Sequence, residues 1–251
     1  MAVYKSKGIV LRSIRYGEAD RILDLYTFDS GLVSAIAKGI RRTKSRFGAR
    51  LEPLSCVDFV AYSGRTLDTI TQAETLRSFH GVRENLARFE AAAGMVGFLR
   101  ALSGGDAADR RVFNLLYNAL DALELRGSGF ESVEAALGLK LSILAGYAPQ
   151  LDRCLNCEAD LDDAPDPLHF APEHGGVLCA ACRSSTADAF PMAPGTLERL
   201  RETVERPVRE APTGEELRES VLRVVRAHVL AHAPGNALAG AKLASRSRRP
   251  A

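Results

Sequence analysis

The sequence lacks any apolar run that approaches the roughly 20 residues needed to cross a membrane. Its first residues, Met1-Ala-Val-Tyr-Lys-Ser-Lys7, also lack the apolar centre of a signal peptide. Of the 251 residues, 46% are hydrophobic and 25% are charged, which is typical of a globular protein rather than a disordered one. We therefore expect a cytoplasmic protein without membrane association, whose cysteine thiols stay reduced.

Sequence motifs of catalysis are missing as well. There is no Walker A sequence, no GxGxxG after a predicted strand and no GxSxG. His228 and His232 have the spacing of a zinc-protease helix, but Val229 stands where that chemistry requires Glu. No pair of carboxylates stands out from the charged background. The sequence therefore predicts a protein that is not an enzyme.

Acidic residues are absent from positions 38 to 51, although six cations lie there. We name residues 37–50 the basic loop. Such a run repels itself unless an anion lies against it, and the commonest such anion is a row of phosphates. The alternative is a solvated, mobile loop. The predicted contacts to DNA are the cations and one aromatic residue that stacks on bases: Lys38, Arg41, Arg42, Lys44, Arg46, Arg50 and, for stacking, Phe47.

The N-terminal third has the alternating pattern of short strands joined by turns. Five strands within about 75 residues favour a small closed barrel over an open sheet. An OB-fold is the leading candidate and an SH3-like barrel is the rival, since the pattern alone does not separate them. The predicted strands cover residues 8–14, 21–27, 32–37, 56–62 and 66–72.

From Val82 onward the pattern becomes helical, so the chain is predicted to be an α+β protein of several domains. The first helix, from Val82 to Leu102, is expected to bury a stripe formed by Leu86, Phe89, Ala93, Val96 and Leu99. The predicted division is an OB-fold domain (1–80), a helical bundle (81–150), a zinc module (151–190), further helices (191–240) and a disordered basic tail (241–251).

Two CxxC pairs dominate the central segment: Cys154-Leu-Asn-Cys157 and Cys179-Ala-Ala-Cys182, separated by 21 residues. Each pair aims two thiolates at one point, and together they complete a tetrahedral Zn²⁺ site. With four protein ligands no position remains for water, so one structural zinc ion is expected per chain. His169 and His174 could each replace one cysteine, and Cys56 is expected to be buried.

Charge divides the chain unevenly. Residues 1–80 carry a net charge of +5, whereas residues 151–190 carry −6. Different partners are therefore expected for the two parts, and the zinc module is not expected to contact DNA directly. An alternative function is that of an adaptor, whose acidic module binds a basic protein and whose own DNA contacts are weak. A zinc-dependent enzyme of nucleic-acid metabolism is a further, weaker alternative.

The sequence resembles the RecO family of bacterial recombination mediators. In the N-terminal part the resemblance rests on Tyr16-Gly-Glu18-Ala-Asp20, Asp24-Leu-Tyr-Thr27, Ser30-Gly31, Ala37-Lys38-Gly39-Ile-Arg41-Arg42-x-Lys44-Ser45 and Leu51-x-Pro53. Further on it rests on Leu139 through Tyr147 and on the four cysteines. The segment from Pro234 to Gly240 departs from the family's C-terminal pattern.

This resemblance implies an N-terminal OB-fold, a helical domain and an inserted zinc module. It implies binding to single- and double-stranded DNA at the nucleoid, annealing of complementary strands and loading of a recombinase. RecR and single-strand DNA-binding protein are the implied partners. The cations Lys38, Arg41, Arg42 and Lys44 match the part of the family's motif that is basic.

Overall fold

A computed structural model describes residues 2–43, 45, 47–103 and 108–233 of the chain. Lys44, Arg46 and the segment from Pro234 to Ala251 lie outside the described residues, and so do the predictions made for them. Within the described part, no helix combines the length and the apolar character that a membrane span requires.

The N-terminal part is a sheet of five strands that closes on itself. The strands are hydrogen-bonded in the order β1-β2-β3-β5-β4, and β1 also pairs with β4, which completes the ring. The mixed α+β class predicted from the sequence is confirmed. The five strands are β1 (Val3–Tyr16), β2 (Asp20–Thr27), β3 (Gly31–Ala37), β4 (Cys56–Tyr62) and β5 (Asp68–Arg77).

Closure depends on the length of β1, whose 14 residues pair with β4 in the first half and with β2 in the second. The two registers overlap at Gly8, opposite Thr27 and Val57, and at Ile9, opposite Tyr26 and Cys56. A Cβ atom at Gly8 would lie 3.1 Å from Leu25 and from Phe59 inside the barrel. Glycine therefore lets these two side chains approach β1 closely where it passes from one neighbour to the other.

The seam between β3 and β5 is the narrowest part of the ring. It is parallel and consists of two residue pairs, Ala35 with Asp68 and Ile36 with Thr69. The barrel is thus partly open at this seam, as expected for an OB-fold, and the SH3-like alternative is not needed.

The rest of the chain is mainly helical and packs around α4. This helix contacts α2, α3, α5 and α6, and most of its residues are buried. The helices are α1 (His80–Glu84), α2 (Leu86–Leu102), α3 (Arg110–Leu125), α4 (Phe130–Leu144), α5 (Thr196–Glu205) and α6 (Arg218–His232). A small sheet of three strands lies between α4 and α5: β6 (His169–Ala171), β7 (Gly176–Leu178) and β8 (Phe190–Pro191).

The predicted buried stripe of the first helix is wrong for Leu86, Phe89 and Ala93, whereas Leu99 is buried as predicted. The helix is broken at Asn85, and Leu86 and Phe89 in α2 are 72% and 41% exposed, with Ala93 exposed beside them. The buried side of α2 consists instead of Ala91, Ala92, Met95, Phe98 and Leu99. Because α2 is apolar around most of its circumference, periodicity could not show which side meets α4.

One hydrophobic core joins residues of the barrel, the helices and the small sheet, including Ile9, Tyr26, Leu99, Leu137 and Phe170. A second core fills the barrel itself and contains Leu23, Leu25 and Phe59. The division of the chain into five parts stays a prediction. The first core contains residues from several of these parts.

Two glycines provide a matched test of how tightly α4 is packed. A Cβ atom at Gly138 would lie 2.7 Å from Phe98 and Val225, whereas one at Gly97 would meet nothing within 4 Å. Gly138→Ala should lower the free energy of unfolding by about 1–3 kcal/mol because the core is overpacked. Gly97→Ala should raise it by about 0.5–1 kcal/mol because helical glycine is unfavourable. Urea denaturation of both variants measures the difference, and equal effects would contradict this packing.

Candidate nucleic-acid interface and metal centre

The first half of the basic loop is fixed to the turn between β1 and β2. The backbone N–H of Gly39 donates to Asp20 Oδ1 at 2.7 Å. The backbone N–H of Arg41 donates to the carbonyl of Ala19 at 2.9 Å, and the Arg41 guanidinium donates to the carbonyl of Glu18 at 2.9 Å. These bonds hold residues 38–42 against one end of the barrel.

The predicted cations that the structure describes lie at the surface: Lys38, Arg41, Arg42 and Arg50 are all exposed. For Lys38, Arg41 and Arg42, no carboxylate of the described residues lies within ion-pair distance. Other exposed arginines do have such a partner, for example Arg110 with Asp29 at 3.1 Å and Arg100 with Asp24 at 2.8 Å. A group of cations without carboxylate partners on a fixed support favours binding of an external anion.

The prediction that Phe47 stacks on bases is wrong. Its side chain is 1% exposed and belongs to the core of the barrel, together with Leu23, Leu25 and Leu51. The loop crosses one end of the barrel and inserts Phe47 and Leu51 there, because an apolar barrel interior must be covered. Phe47 therefore anchors the loop in the core of the barrel, and its buried ring cannot contact a nucleic acid.

Further cations next to the loop were missed by the sequence reasoning. Arg15 in β1 and Arg21 in β2 lie directly opposite each other, and Arg21 pairs with Ala37 in β3. Like charges in opposite positions of a sheet are destabilising, so an anion bound between them would relieve a repulsion. The sequence contains a pattern that indicates this pair. Arg15 and Arg21 occupy the alternate positions of β1 and β2 that face inward within the barrel, but they lie beyond its end.

Two aromatic residues of the barrel are substantially exposed: Tyr16, at 53%, and Tyr62, at 43%. Tyr16 ends β1 and lies opposite Asp20, the residue whose carboxylate binds Gly39. Tyr26 and Phe59 are buried, as the sequence predicted. Tyr16 is thus the exposed aromatic side chain adjacent to the fixed half of the basic loop.

The four cysteines of the two CxxC pairs come together. Their Sγ atoms all lie within 4.8 Å of one another, and Cys157 Sγ is 3.8 Å from Cys179 Sγ. Four sulfurs bound at 2.3 Å to a tetrahedral ion would be separated by about 3.8 Å. The arrangement therefore fits a zinc ion. Each pair lies on a turn, closed by bonds from Glu158 N–H to the Cys154 carbonyl and from Cys182 N–H to the Cys179 carbonyl.

The environment of the sulfurs favours a bound cation. Burial raises the pKa of Cys154, but the N–H groups of Cys157, Cys179 and Asn156 donate to its sulfur and together lower its pKa to about 6. The Asn156 amide lowers the pKa of Cys182, yet the neighbouring thiols and burial raise it to about 11. Cys154 thus ionises readily, whereas the ionisation of Cys182 is favoured when a cation compensates the charge of its thiolate.

The residues considered as alternative ligands lie elsewhere. His174 faces Asp188, with 3.8 Å between Nδ1 and Oδ1, and His169 is buried in β6 outside the cysteine cluster. Cys56 is buried in β4 as predicted, and burial raises its pKa to about 11. His228 Nε2 donates to the Tyr147 carbonyl at 2.8 Å, and the ring is buried against Phe170. Because a carbonyl only accepts, the proton is on His228 Nε2.

A cavity of 580 Å³ lies between α3, α4 and the turn formed by Val208–Glu210. Its apolar lining includes Leu115, Ile143 and Leu144, and Arg111 and Arg209 lie at its rim. The cavity is formed by elements other than the basic loop and the cysteine cluster. It therefore forms a third, independent surface feature.

A five-stranded barrel with a basic loop, followed by helices and a four-cysteine cluster, defines a mixed α+β protein with a β domain at its N-terminus. Residues 1–79 match the family model described as recombination protein O N terminal, and residues 83–239 match that described as recombination protein O C terminal. The chain belongs to the recombination protein O (RecO) family.

Individual relatives agree with the family models. The chain is similar to the DNA repair protein RecO of Rubrobacter xylanophilus, with 64% identity over the full length of both chains. Identity to the protein of that name from Heliobacterium modesticaldum is 34%, over 94% of this chain and 87% of the relative. For the protein from Bifidobacterium longum subsp. infantis it is 38%, over 78% of this chain and 80% of the relative.

Proposed function

We propose that this chain is a non-catalytic mediator of DNA repair and recombination, which binds single- and double-stranded DNA without sequence preference. The observation that carries the proposal is the fixed group of exposed cations, Lys38, Arg41 and Arg42, which lack carboxylate partners among the described residues. The relatives that bear the name DNA repair protein support the biological setting.

Cations of this kind contact phosphates, which are the same for every sequence. Affinity without sequence preference is therefore expected. A protein that neutralises phosphates on two strands also lowers the repulsion between them. Annealing of complementary strands is therefore the activity that we propose for this surface, with Arg15 and Arg21 extending it.

Family membership supports two protein partners, RecR and single-strand DNA-binding protein, and a role in loading the recombinase. Action on chromosomal DNA would place the chain at the nucleoid, in the cytoplasm. Arg50 is proposed as a further phosphate contact because it is exposed beside the described end of the loop.

We further propose that Cys154, Cys157, Cys179 and Cys182 hold one Zn²⁺ ion. The ion would cross-link two turns of a segment that has little core of its own, and four thiolates leave no position for a reacting water. Cys154 is buried in the core shared with the helices, so the site anchors this segment to the helical part. A zinc-dependent enzyme is disfavoured because four cysteine ligands leave no coordination position of the ion open for substrate or water.

A second candidate, a protein adaptor with weak DNA contacts, is favoured by the cavity beside Ile143. An apolar opening of 580 Å³ with arginines at its rim suits an apolar side chain of a protein partner. The two functions are compatible, since the basic loop and the cavity are separate surfaces.

Reversing the charge of three loop residues should remove DNA binding. Combined Lys38→Glu, Arg41→Glu and Arg42→Glu should weaken binding of single strands and duplexes, because three phosphate contacts are lost. For single strands the slope of log affinity against log salt should flatten by about 2. Fluorescence anisotropy with labelled oligonucleotides across a salt titration measures both effects.

The matched control reverses three exposed arginines outside the barrel, Arg153, Arg183 and Arg206, which changes the net charge equally. The control variant should bind DNA nearly as the unmodified chain does. Equal losses in both variants would show that only net charge matters, and unchanged binding in the loop variant would reject the proposed surface.

Removing a cysteine ligand should release the metal. The unmodified protein should contain about one zinc ion per chain, whereas Cys154→Ser and Cys179→Ser should lose it and unfold at lower temperature. Cys56→Ala serves as the control because Cys56 lies in the barrel, and it should keep its zinc. Elemental analysis and thermal unfolding are the measurements, and protein prepared without chelator that contains no zinc would refute the site.

The adaptor function predicts partner binding that does not depend on DNA. Ile143→Glu places a charge in the cavity and should reduce nuclease-resistant co-purification with RecR or single-strand DNA-binding protein. Leu230→Glu, at an exposed position of α6, should leave it unchanged. If both variants retain both partners as the unmodified chain does, the cavity is not the docking surface.

A further inference from the structure

An apolar row crosses the outer surface of the barrel. Ile14 in β1 lies opposite Ile22 in β2, and Ile22 lies opposite Ile36 in β3. The row faces outward because the adjacent residues Leu23 and Ala35 are fully buried inside the barrel, and successive side chains of a strand alternate. Ile14 is 39% exposed, and Ile22 and Ile36 are half-buried. Three β-branched apolar side chains are thus presented side by side.

Cations border this row on both sides. On one side Arg12 lies opposite Asp24, but the Asp24 carboxylate is already bound by Arg100 at 2.8 Å and by the Ser34 hydroxyl at 2.8 Å. Arg12 is exposed and has no carboxylate within ion-pair distance in the described part of the chain. On the other side lie Lys38 and Arg41 of the basic loop.

Tyr16 flanks the apolar row on the side of the loop, where it lies opposite Asp20. It lies two residues beyond Ile14 and therefore on the same face of β1. The turn that follows it is bonded to the loop through Ala19 and Arg41 and through Asp20 and Gly39, so ring and cations form one fixed unit. Glu18, exposed in the same turn, carries a negative charge that repels a phosphate bound close to it.

An apolar row beside an exposed aromatic ring, with Arg12 on one side and Lys38 and Arg41 on the other, suits one particular ligand. Phosphates require the cations, and unstacked bases require the apolar and aromatic surface. A duplex offers its phosphates but keeps its base faces inside the stack, whereas a single strand offers both. The apolar row is thus complementary to a single strand only.

We propose that Tyr16 and the row formed by Ile14, Ile22 and Ile36 are a stacking surface for the bases of single-stranded DNA, adjacent to the phosphate-binding cations. This inference rests on the proposed DNA-binding function and deepens it. The loop cations would serve both forms of DNA, and Tyr16 would distinguish the single strand from the duplex.

The test compares three probes of equal length: oligo(dT), the same backbone without bases, and a duplex. Tyr16→Ala should lower the affinity for oligo(dT) by about 5- to 150-fold, the loss expected from removing one stacked base. Affinity for the abasic strand and for the duplex should stay unchanged. Tyr16→Phe, which keeps the ring, should bind oligo(dT) as the unmodified chain does.

Phe89→Ala is the matched control, because it removes an exposed aromatic ring from α2. It should leave all three affinities unchanged, and circular dichroism should show that each variant is folded. Unchanged oligo(dT) binding by folded Tyr16→Ala overturns the inference, and so does an equal loss for all three probes. If the unmodified chain binds none of the probes, the proposed function itself fails, which is a distinguishable result.

Discussion

The double pairing of β1 is the constraint on which the barrel surface depends. One strand of 14 residues pairs with β4 along its first half and with β2 along its second, and both neighbours lie opposite Gly8 and Ile9. Because pairing with β4 ends at Ile9, the last residues of β1, from Val10 to Tyr16, extend beyond the end of β4. This overhanging hairpin of β1 and β2 carries Arg15, Tyr16 and Arg21, and its turn supports the basic loop.

The barrel is held against the helices by several different contacts. The Tyr26 hydroxyl lies 3.3 Å from the carbonyl of Asp109, the residue that caps α3. The rings of Phe28 and Phe113 meet edge to face with centroids 5.3 Å apart, and Arg100 of α2 binds Asp24 of β2. Because these contacts continue into the shared core, the proposed DNA surface and the cysteine cluster belong to one packed body rather than to separate modules on linkers.

The number and approximate position of the strands could be predicted because each strand alternates locally and ends in recognisable turn residues. The cysteine cluster could be predicted because metal geometry restricts spacing within each pair, whatever lies between the pairs. The burial of Phe47 could not be predicted, because an aromatic residue among six cations is expected to be exposed. Its burial follows from the path of the loop across one end of the barrel, which the sequence does not show. The buried side of α2 could not be predicted either, because both of its sides are apolar and only the location of α4 distinguishes them. The cations Arg15 and Arg21 were missed because their proximity arises from strand register and not from sequence distance.

The opposition of Arg15 and Arg21 has a thermodynamic consequence for the whole chain. Two like charges fixed across a sheet store repulsive energy in the unliganded protein. A polyanion bound there, as proposed, would neutralise this repulsion, and the barrel would then resist unfolding more when it is occupied than when it is empty. Folding and binding would in this way be linked through one pair of residues.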